Sequence, residues 1–229
     1  MAKILTTAIV ADIRNKLNGS VFSKNRYGSY VRTKVTPVNP QTTAQQNVRS
    51  TLSSLSQQWR ALSQSQRQSW IDAAPNFPFS DIFGNSKILS GSTLFQKLNN
   101  NLLQAGESGL LVAPSPADII TVSLESLTAA AGAPALSLAF TPTPVPAGFD
   151  LVIEATGNVP PGISFVKNKF RRLGIIEPAA TSPDNLLSLW TAVHGTLVAG
   201  QQIFVRVKVL NIATGQTGIP VQISAIVAA

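Results

Sequence analysis

Seven short β-type runs in the second half of the chain most constrain how it can fold. They have no helical periodicity, and turn residues separate them. Short strands at this spacing are typical of a β-sandwich. The sequence therefore predicts strands at Ile119–Leu127, Ala135–Thr141, Asp150–Thr156, Ser164–Leu173, Leu186–Val193, Gln202–Asn211 and Pro220–Val227.

Helical spacing of apolar residues dominates the region before these strands. An apolar stripe begins at Val48, and Ser63 to Gln66 fits a capping box that starts a second helix, which Pro75 ends. A third helix is predicted from Ser90 or Ser92 to Gly106. The residues expected to form a small helical core are Leu52, Leu55, Trp59, Leu62 and Trp70.

Positive charge is concentrated at the start of the chain. The net charge is +8, and residues 1–49 hold eight Lys/Arg against Asp12 alone. Residues 21–35 alternate in character around a turn at Asn25–Gly28, which predicts a β-hairpin. Phe22, Lys24, Tyr30, Arg32 and Lys34 fall on one parity of this alternation. The residues expected to contact a partner are Phe22, Lys24, Arg26, Tyr27, Tyr30, Arg32 and Lys34.

The predicted fold class is multidomain α+β. An N-terminal basic β-hairpin arm and a small helical unit precede an all-β immunoglobulin-like or fibronectin-III-like sandwich. The expected parts are a basic arm at 1–41, a small helical domain at 42–108, a linker at 109–118 and a β-sandwich domain at 119–229.

A second basic cluster lies within the predicted sandwich, at Lys167, Lys169, Arg171 and Arg172. With its neighbouring phenylalanines it could contact phosphates or acidic side chains. The favoured interpretation is an edge strand whose charges prevent edge-to-edge pairing.

The sequence offers little for catalysis. It contains no cysteine and one histidine, His194, which is expected to be a loop residue near a strand end. No pair of acids has a spacing typical of general acid–base work, and no glycine-rich phosphate loop is present. We therefore expect no enzyme activity, no cofactor and no metal. No apolar run approaches the ~18 residues of a membrane span, so no membrane partner is expected.

Two segments of the predicted sandwich carry a resemblance. The run Gln201–Asn211, followed by Gly215 and a closing strand, looks like the last two strands of a fibronectin type III domain. Leu136–Phe140 and Phe149–Ile153 look like its second and third strands. The family's tyrosine corner is absent, and Phe140 stands where a tryptophan is common. The resemblance implies an adhesive or spacer module and does not by itself give a function.

Residues 10–106 carry a second resemblance. The chain here is similar to a class of uncharacterised proteins of tailed phages and prophages, which tend to be encoded with virion structural genes. The resemblance implies a virion component, assembled in the host cytoplasm, and brings no catalytic residues. Its motifs are Gly19–Arg26, Gly28, Tyr30–Arg32, Asn39–Thr42, Gln45–Gln46, Arg49, Trp59–Arg60, Gln66–Arg67, Trp70 and Leu89–Gly91 with Asn99.

These patterns lead to three hypotheses about function. The first is a head-associated decoration or stabilising protein that the arm and helices attach to other virion proteins, in multiple copies or as a homo-oligomer. The second is a DNA-binding or DNA-organising protein that uses the basic arm. The third is a neck or tail protein, or a host-surface adhesion module carried by the sandwich.

Overall fold

The structure, a computed structural model, describes residues 2–3, 13–25, 28–80 and 86–229. The chain divides into two compact units, Met1–Asn47 and Val48–Ala229. The fold is mixed α+β, with four α-helices and several antiparallel sheets in the described ranges, as the sequence predicts. No helix within those ranges is both long and apolar enough to cross a membrane.

The first unit contains a four-stranded antiparallel sheet, here called the N-terminal sheet. The predicted hairpin is present, because β3 and β4 pair from Ser20↔Thr33 to Asn25↔Gly28. The strand order is β1-β4-β3-β2. The strands are β1 (Ala2–Lys3), β2 (Asn15–Leu17), β3 (Ser20–Asn25) and β4 (Gly28–Thr33).

Three helices open the second part of the chain, and local capping signals set their ends. Ser63 caps the second helix through a capping box, in which its hydroxyl accepts from the Gln66 amide and its amide donates to Gln66 Oε1 at 2.9 Å. Ser90 caps the third helix, and Gly106 ends it at φ 85°. The helices are α1 (Thr43–Ala61), α2 (Gln64–Ala73) and α3 (Gly91–Ala105).

Short elements join α2 to α3. Pro75 lies in a 3-10 helix, Ala74–Asn76, that directly follows α2. Two short strands then pair, β5 (Phe79–Ser80) with β6 (Ser86–Lys87).

The helical core is smaller than the apolar stripe of α1 predicts. Leu55, Leu62 and Trp70 are buried, and Trp59 is half-buried against them. The expectation for Leu52 is wrong, because this side chain is 52% exposed. The core residues contributed by α2 and α3 meet α1 only from Leu55 onward, so the earlier part of the stripe is left uncovered.

Two antiparallel sheets form the remainder of the chain. One has the order β10-β9-β12-β13 and the other β11-β8-β7. A helix, α4, lies between β11 and β12 in the chain. The elements are β7 (Ser123–Ala130), β8 (Ala135–Thr141), β9 (Phe149–Ala155), β10 (Arg171–Ile176), β11 (Asp184–Asn185), α4 (Leu187–His194), β12 (Gln202–Asn211) and β13 (Val221–Ile226).

Three of the seven predicted strands are wrong in part or in whole. In the first, Ile119–Leu127, residues 119–122 are not in a strand, because β7 begins at Ser123. Leu186–Val193 is expected as a strand, yet it forms α4 and buries Trp190. A short apolar run without alternation fits either element, and packing decides between them. In the predicted strand Ser164–Leu173 only the end is extended, because β10 begins at Arg171.

Side chains from both sheets meet in one core. Leu138 and Phe140 of β8 lie in the same buried cluster as Ile153 of β9 and Val205 of β12, and none of these four is more than 1% exposed. Trp190 of α4 belongs to this cluster as well. This arrangement is compatible with a β-sandwich.

The segment expected as a linker, 109–118, is packed on both sides. The indole of Trp70 donates to the Leu111 carbonyl at 3.0 Å, and the Ala117 amide donates to Gln216 Oε1 at 2.9 Å. Asn101 of α3 also donates to the Gly215 carbonyl, at 2.9 Å. The helices and the two sheets therefore belong to one compact unit.

Candidate functional site

The two faces of the N-terminal sheet carry different side chains. Register pairs Lys16 with Val21 and Val21 with Arg32, so these three lie on one face. Phe22 pairs with Val31, and both lie on the opposite face with Lys24.

In this register the arm residues that fall on one parity in the sequence do not share one face of the sheet. Asn25 pairs with Gly28 and Phe22 with Val31, so paired positions have opposite parity. Phe22 and Lys24 therefore face away from Tyr30 and Arg32, although all four positions are even. Arg26 and Tyr27 lie outside the described residues.

A concave surface with a volume of about 410 Å³ lies on the sheet and the segment that follows it. We call it the cationic groove. The Lys34 amide donates to the Gly19 carbonyl at 2.8 Å, which continues the hairpin pairing by one residue and fixes the position of Lys34. Lys16, absent from the predicted contact residues, also lines it. The lining residues are Lys16, Val21, Arg32, Lys34, Val35, Thr36 and Pro37.

The sequence around this groove is poor in acids, because Asp12 is the single Asp or Glu before Asp72. From position 13 to 71 the chain contains nine Lys/Arg and no Asp or Glu. Lys16, Arg32 and Lys34 are all exposed. An acidic partner is therefore the chemistry that complements this surface.

The N-terminal sheet also lacks a core of its own in the described residues. No side chain described between positions 13 and 47 is fully buried. Val35 is 73% exposed and Val38 is 88% exposed. An antiparallel sheet without a packed face is marginally stable in water, so this sheet gains stability from any surface that covers it.

The second predicted basic patch is split by the fold. Lys167 and Lys169 are exposed in a turn, whereas Arg171 and Arg172 begin the edge strand β10. Burial lowers the pKa of Arg172, whose guanidinium donates to Gln104 Oε1 of α3 at 3.4 Å. The sequence predicts one edge strand that carries all four residues. This expectation is wrong, because only Arg171 and Arg172 lie in a strand.

The cations next to this patch are paired. Lys208 Nζ lies 2.6 Å from Glu154 Oε1, and Arg206 donates to Glu154 Oε2. The Arg206 guanidinium stacks on Phe170, 4.2 Å from the ring centre. Burial alone would raise the pKa of Glu154, but the hydrogen bonds from Lys208 and Arg206 outweigh it and hold that pKa below its usual value.

Asp150 is a buried carboxyl group, and nothing in the sequence marks it as a candidate site residue. It is 1% exposed, and its Oδ2 atom has no hydrogen-bond partner. Burial, with Glu107 and Glu177 nearby, raises the pKa of Asp150 to about 6, although Arg172 lowers it. A buried, unpaired carboxyl group at this position destabilises the fold when it is charged.

His194 is a structural side chain and ends α4, not a strand. Its Nε2 lies 3.2 Å from the Ala155 carbonyl, and its ring packs 5.4 Å from Trp190. A carbonyl only accepts, so Nε2 carries the proton. Burial lowers the pKa of His194, which favours the neutral ring.

The tryptophans are packed and do not present faces to a ligand. Trp70 is fully buried, edge-on to Phe95 at 5.2 Å. Trp59 lies 5.5 Å from the same ring. Trp190 is fully buried and donates to the Thr156 carbonyl at 3.0 Å.

The strongest candidate site is thus the cationic groove. Among the residues that the structure describes, no three His, Cys, Asp or Glu side chains are grouped so that they could hold a metal ion. Comparisons of the chain with protein-family models, with curated proteins and with solved structures found no match.

Proposed function

We propose that this chain is a non-enzymatic structural protein of a tailed-phage particle, attached to its neighbours through the N-terminal sheet and the helices. The observation that carries the proposal is a charged sheet whose described residues form no packed core. In its described part no side chain is fully buried, and from position 13 to 71 the chain holds nine Lys/Arg and no Asp or Glu. A sheet of this kind is suited to being covered by another protein.

The order of strands supports a fibronectin-III-like or immunoglobulin-like sandwich for residues 119–229. Seven-stranded domains of this kind consist of two antiparallel sheets, one of three strands and one of four. The orders β7-β8-β11 and β10-β9-β12-β13 follow that arrangement. As a spacer or adhesive module, this sandwich needs no chemistry of its own.

Within the particle, a head-associated decoration or stabilising role fits the chain best. A small module with a charged attachment surface suits repeated binding to a shell. The low charge of the chain agrees with extensive contact between proteins, because 12% of its residues are charged.

Deletion of residues 1–40 tests the proposal. The truncated protein is expected to be absent from purified particles, while its tryptophan fluorescence and thermal unfolding match those of the full chain. All three tryptophans, Trp59, Trp70 and Trp190, lie in Val48–Ala229, so these signals report on the second unit alone. Normal incorporation of the truncated protein would contradict the proposal.

The charge pattern also favours a second candidate, a DNA-binding protein. Nine Lys/Arg without an acid from 13 to 71 would neutralise phosphates. However, Lys24 faces away from Arg32 and Lys34, so one duplex cannot meet all three cations on the same face.

A salt titration with a short DNA duplex separates the two candidates. Contact with about four phosphates gives a slope of roughly −3.6 in a plot of log affinity against log salt. Binding that is lost when Lys24, Arg26, Arg32 and Lys34 are changed to Ala supports the DNA candidate. No binding at about 50 mM salt counts against it, since phosphate contacts are strongest at low salt.

A further inference from the structure

We propose that the cationic groove binds an extended segment of a neighbouring protein in which acidic and aliphatic residues are mixed. The inference rests on the proposed function and deepens it, because it names the chemistry of the partner at the same sheet. It depends on how the groove is built, not on the net charge of the arm.

Two separate pieces of the chain, β2 and β4 with its continuation, bring three cations to this groove. Lys16 comes from the edge strand β2, Arg32 from β4 and Lys34 from the segment after β4. The hydrogen bond from Lys34 to Gly19 and the β2–β3–β4 register hold the three backbones in place. The cations are therefore presented in a fixed arrangement, and carboxylates complement them.

Aliphatic side chains lie among these cations. Val21 is half-buried, whereas Val35 and Pro37 are exposed. Covering exposed apolar surface is favourable, so a segment with apolar side chains binds better than one with carboxylates alone.

This mixture of side chains favours protein over nucleic acid. Proteins that bind single strands stack bases on aromatic side chains, and no aromatic residue lines the groove. The phosphates of a duplex would meet the cations and leave Val21, Val35 and Pro37 without apolar contacts. An acidic and aliphatic peptide satisfies both kinds of side chain.

The shape fits an extended segment. The groove runs over β2, β3 and β4 and along residues 34–37, which form no helix or strand and are exposed. In an extended chain, alternate side chains point to the same face. A Glu-Glu-Val-Val repeat places both carboxylates and apolar groups on each face, so it presents the required mixture in either orientation.

A peptide-binding measurement on the purified full chain tests the inference. The probe is a fluorescent twelve-residue peptide of Glu-Glu-Val-Val repeats, at about 50 mM salt. Changing Lys16, Arg32 and Lys34 together to Ala is expected to weaken binding at least about tenfold, since three ion pairs are lost. The matched control is Lys24→Ala, an exposed cation on the opposite face, which is expected to change affinity less than about twofold.

Peptide variants separate the contribution of the groove's cations from that of its aliphatic side chains. Gln in place of Glu is expected to abolish binding, and Ser in place of Val to weaken it. If the triple variant does not fold, the single variants Lys16→Ala, Arg32→Ala and Lys34→Ala give the same test, with losses of about two- to fivefold each. Exchange of the cations, Lys16→Arg with Arg32→Lys and Lys34→Arg, is expected to preserve binding.

Three results would overturn the inference. One is an equal loss in Lys24→Ala, which shows non-specific attraction. Another is unchanged binding of the Gln peptide, which removes the role of the cations. The third is tighter binding of a 20-base-pair DNA duplex that depends on the same three cations, which assigns the groove to nucleic acid.

The proposed function is tested separately. Incorporation into particles depends on residues 1–40 whether or not the Glu-Glu-Val-Val peptide binds. A protein that is incorporated through residues 1–40 but does not bind the peptide contradicts the groove inference alone. A protein that binds the peptide but is incorporated without residues 1–40 contradicts the proposed function alone.

Discussion

The N-terminal sheet and the sheet β10-β9-β12-β13 both have four antiparallel strands. They differ in whether their charges are paired and whether their apolar side chains are buried. In the sheet β10-β9-β12-β13, Glu154 pairs with Arg206 and Lys208, and the inward side chains are buried against a second sheet. In the N-terminal sheet the exposed cations Arg32 and Lys34 have no acid nearby in sequence, and no described side chain is fully buried. Identical backbone pairing thus serves internal stability in one region and leaves contact surface in the other.

Truncating one apolar residue in each sheet should give the largest contrast. Ile153→Ala is expected to cost about 2 to 5 kcal/mol, because it leaves a cavity at a fully buried position. Val21→Ala, at a half-buried position, is expected to cost less than about 1 kcal/mol. Urea unfolding followed by tryptophan fluorescence measures the first, and tyrosine fluorescence follows the second. A comparable cost for both would remove the contrast.

Gly215 tests whether the helices and the sheets share one packed unit. It has φ +73°, and an added Cβ would lie 2.5 Å from the Leu98 carbonyl oxygen of α3. Gly215→Ala is expected to cost about 2 to 4 kcal/mol, from backbone strain and the clash together. The control is Gly200→Ala, with φ +76° but no atom within 4 Å, expected to cost about 1 kcal/mol. Equal thermal stability of the two variants would contradict close packing at this junction.

Asp150 is buried without a paired cation, unlike Glu154, and the dependence of stability on pH tests this difference. The raised pKa means that the folded protein holds a proton between about pH 4 and 6 that the unfolded chain releases. The charge therefore costs stability above pH 6 and nothing below about pH 4. Asp150→Asn is expected to add about 2 kcal/mol at pH 7.5 and almost none at pH 4.

The measurement is urea unfolding at these two pH values. Asp118→Asn, at an exposed carboxylate, is the control and is expected to leave stability nearly unchanged at both. A gain that is the same at pH 4 and 7.5 would show that shape, not charge, explains the effect.

The smallest effect is expected from breaking the paired charges themselves. Glu154→Gln should cost about 1 kcal/mol, because it leaves Arg206 and Lys208 partly buried without their carboxylate. Lys24→Ala on the N-terminal sheet should change stability by less than about 0.5 kcal/mol. Thermal unfolding of both variants, with circular dichroism detection, checks the difference.

Local signals were predictable from the sequence. The capping box at Ser63 and the glycine cap at Gly106 act over a few residues, so the helix ends follow from the letters alone. The hairpin is equally local, because its turn lies between paired strands. The identity of Leu187–His194 as a helix was not predictable, since eight residues without clear alternation fit either element.

The candidate site was only half predictable. The charge of the arm is a property of composition, and Arg32 and Lys34 were selected for that reason. Lys16 joins them because of the way β2 pairs with β3. Lys24 lies on the other face because of the register of the hairpin. A shift of one residue would exchange the faces, so parity alone cannot assign them.

By itself, the sequence determined the ends of α2 and α3, the place where the arm turns, and the excess of positive charge in residues 1–49, which hold eight Lys/Arg against Asp12. Each of these depends on residues close together in the chain. Tertiary structure decided which apolar residues are covered, as the exposed Leu52 and the buried Trp190 show. It also decided which charges are paired, because the partners of Glu154 lie more than fifty residues away and meet it only across β9 and β12.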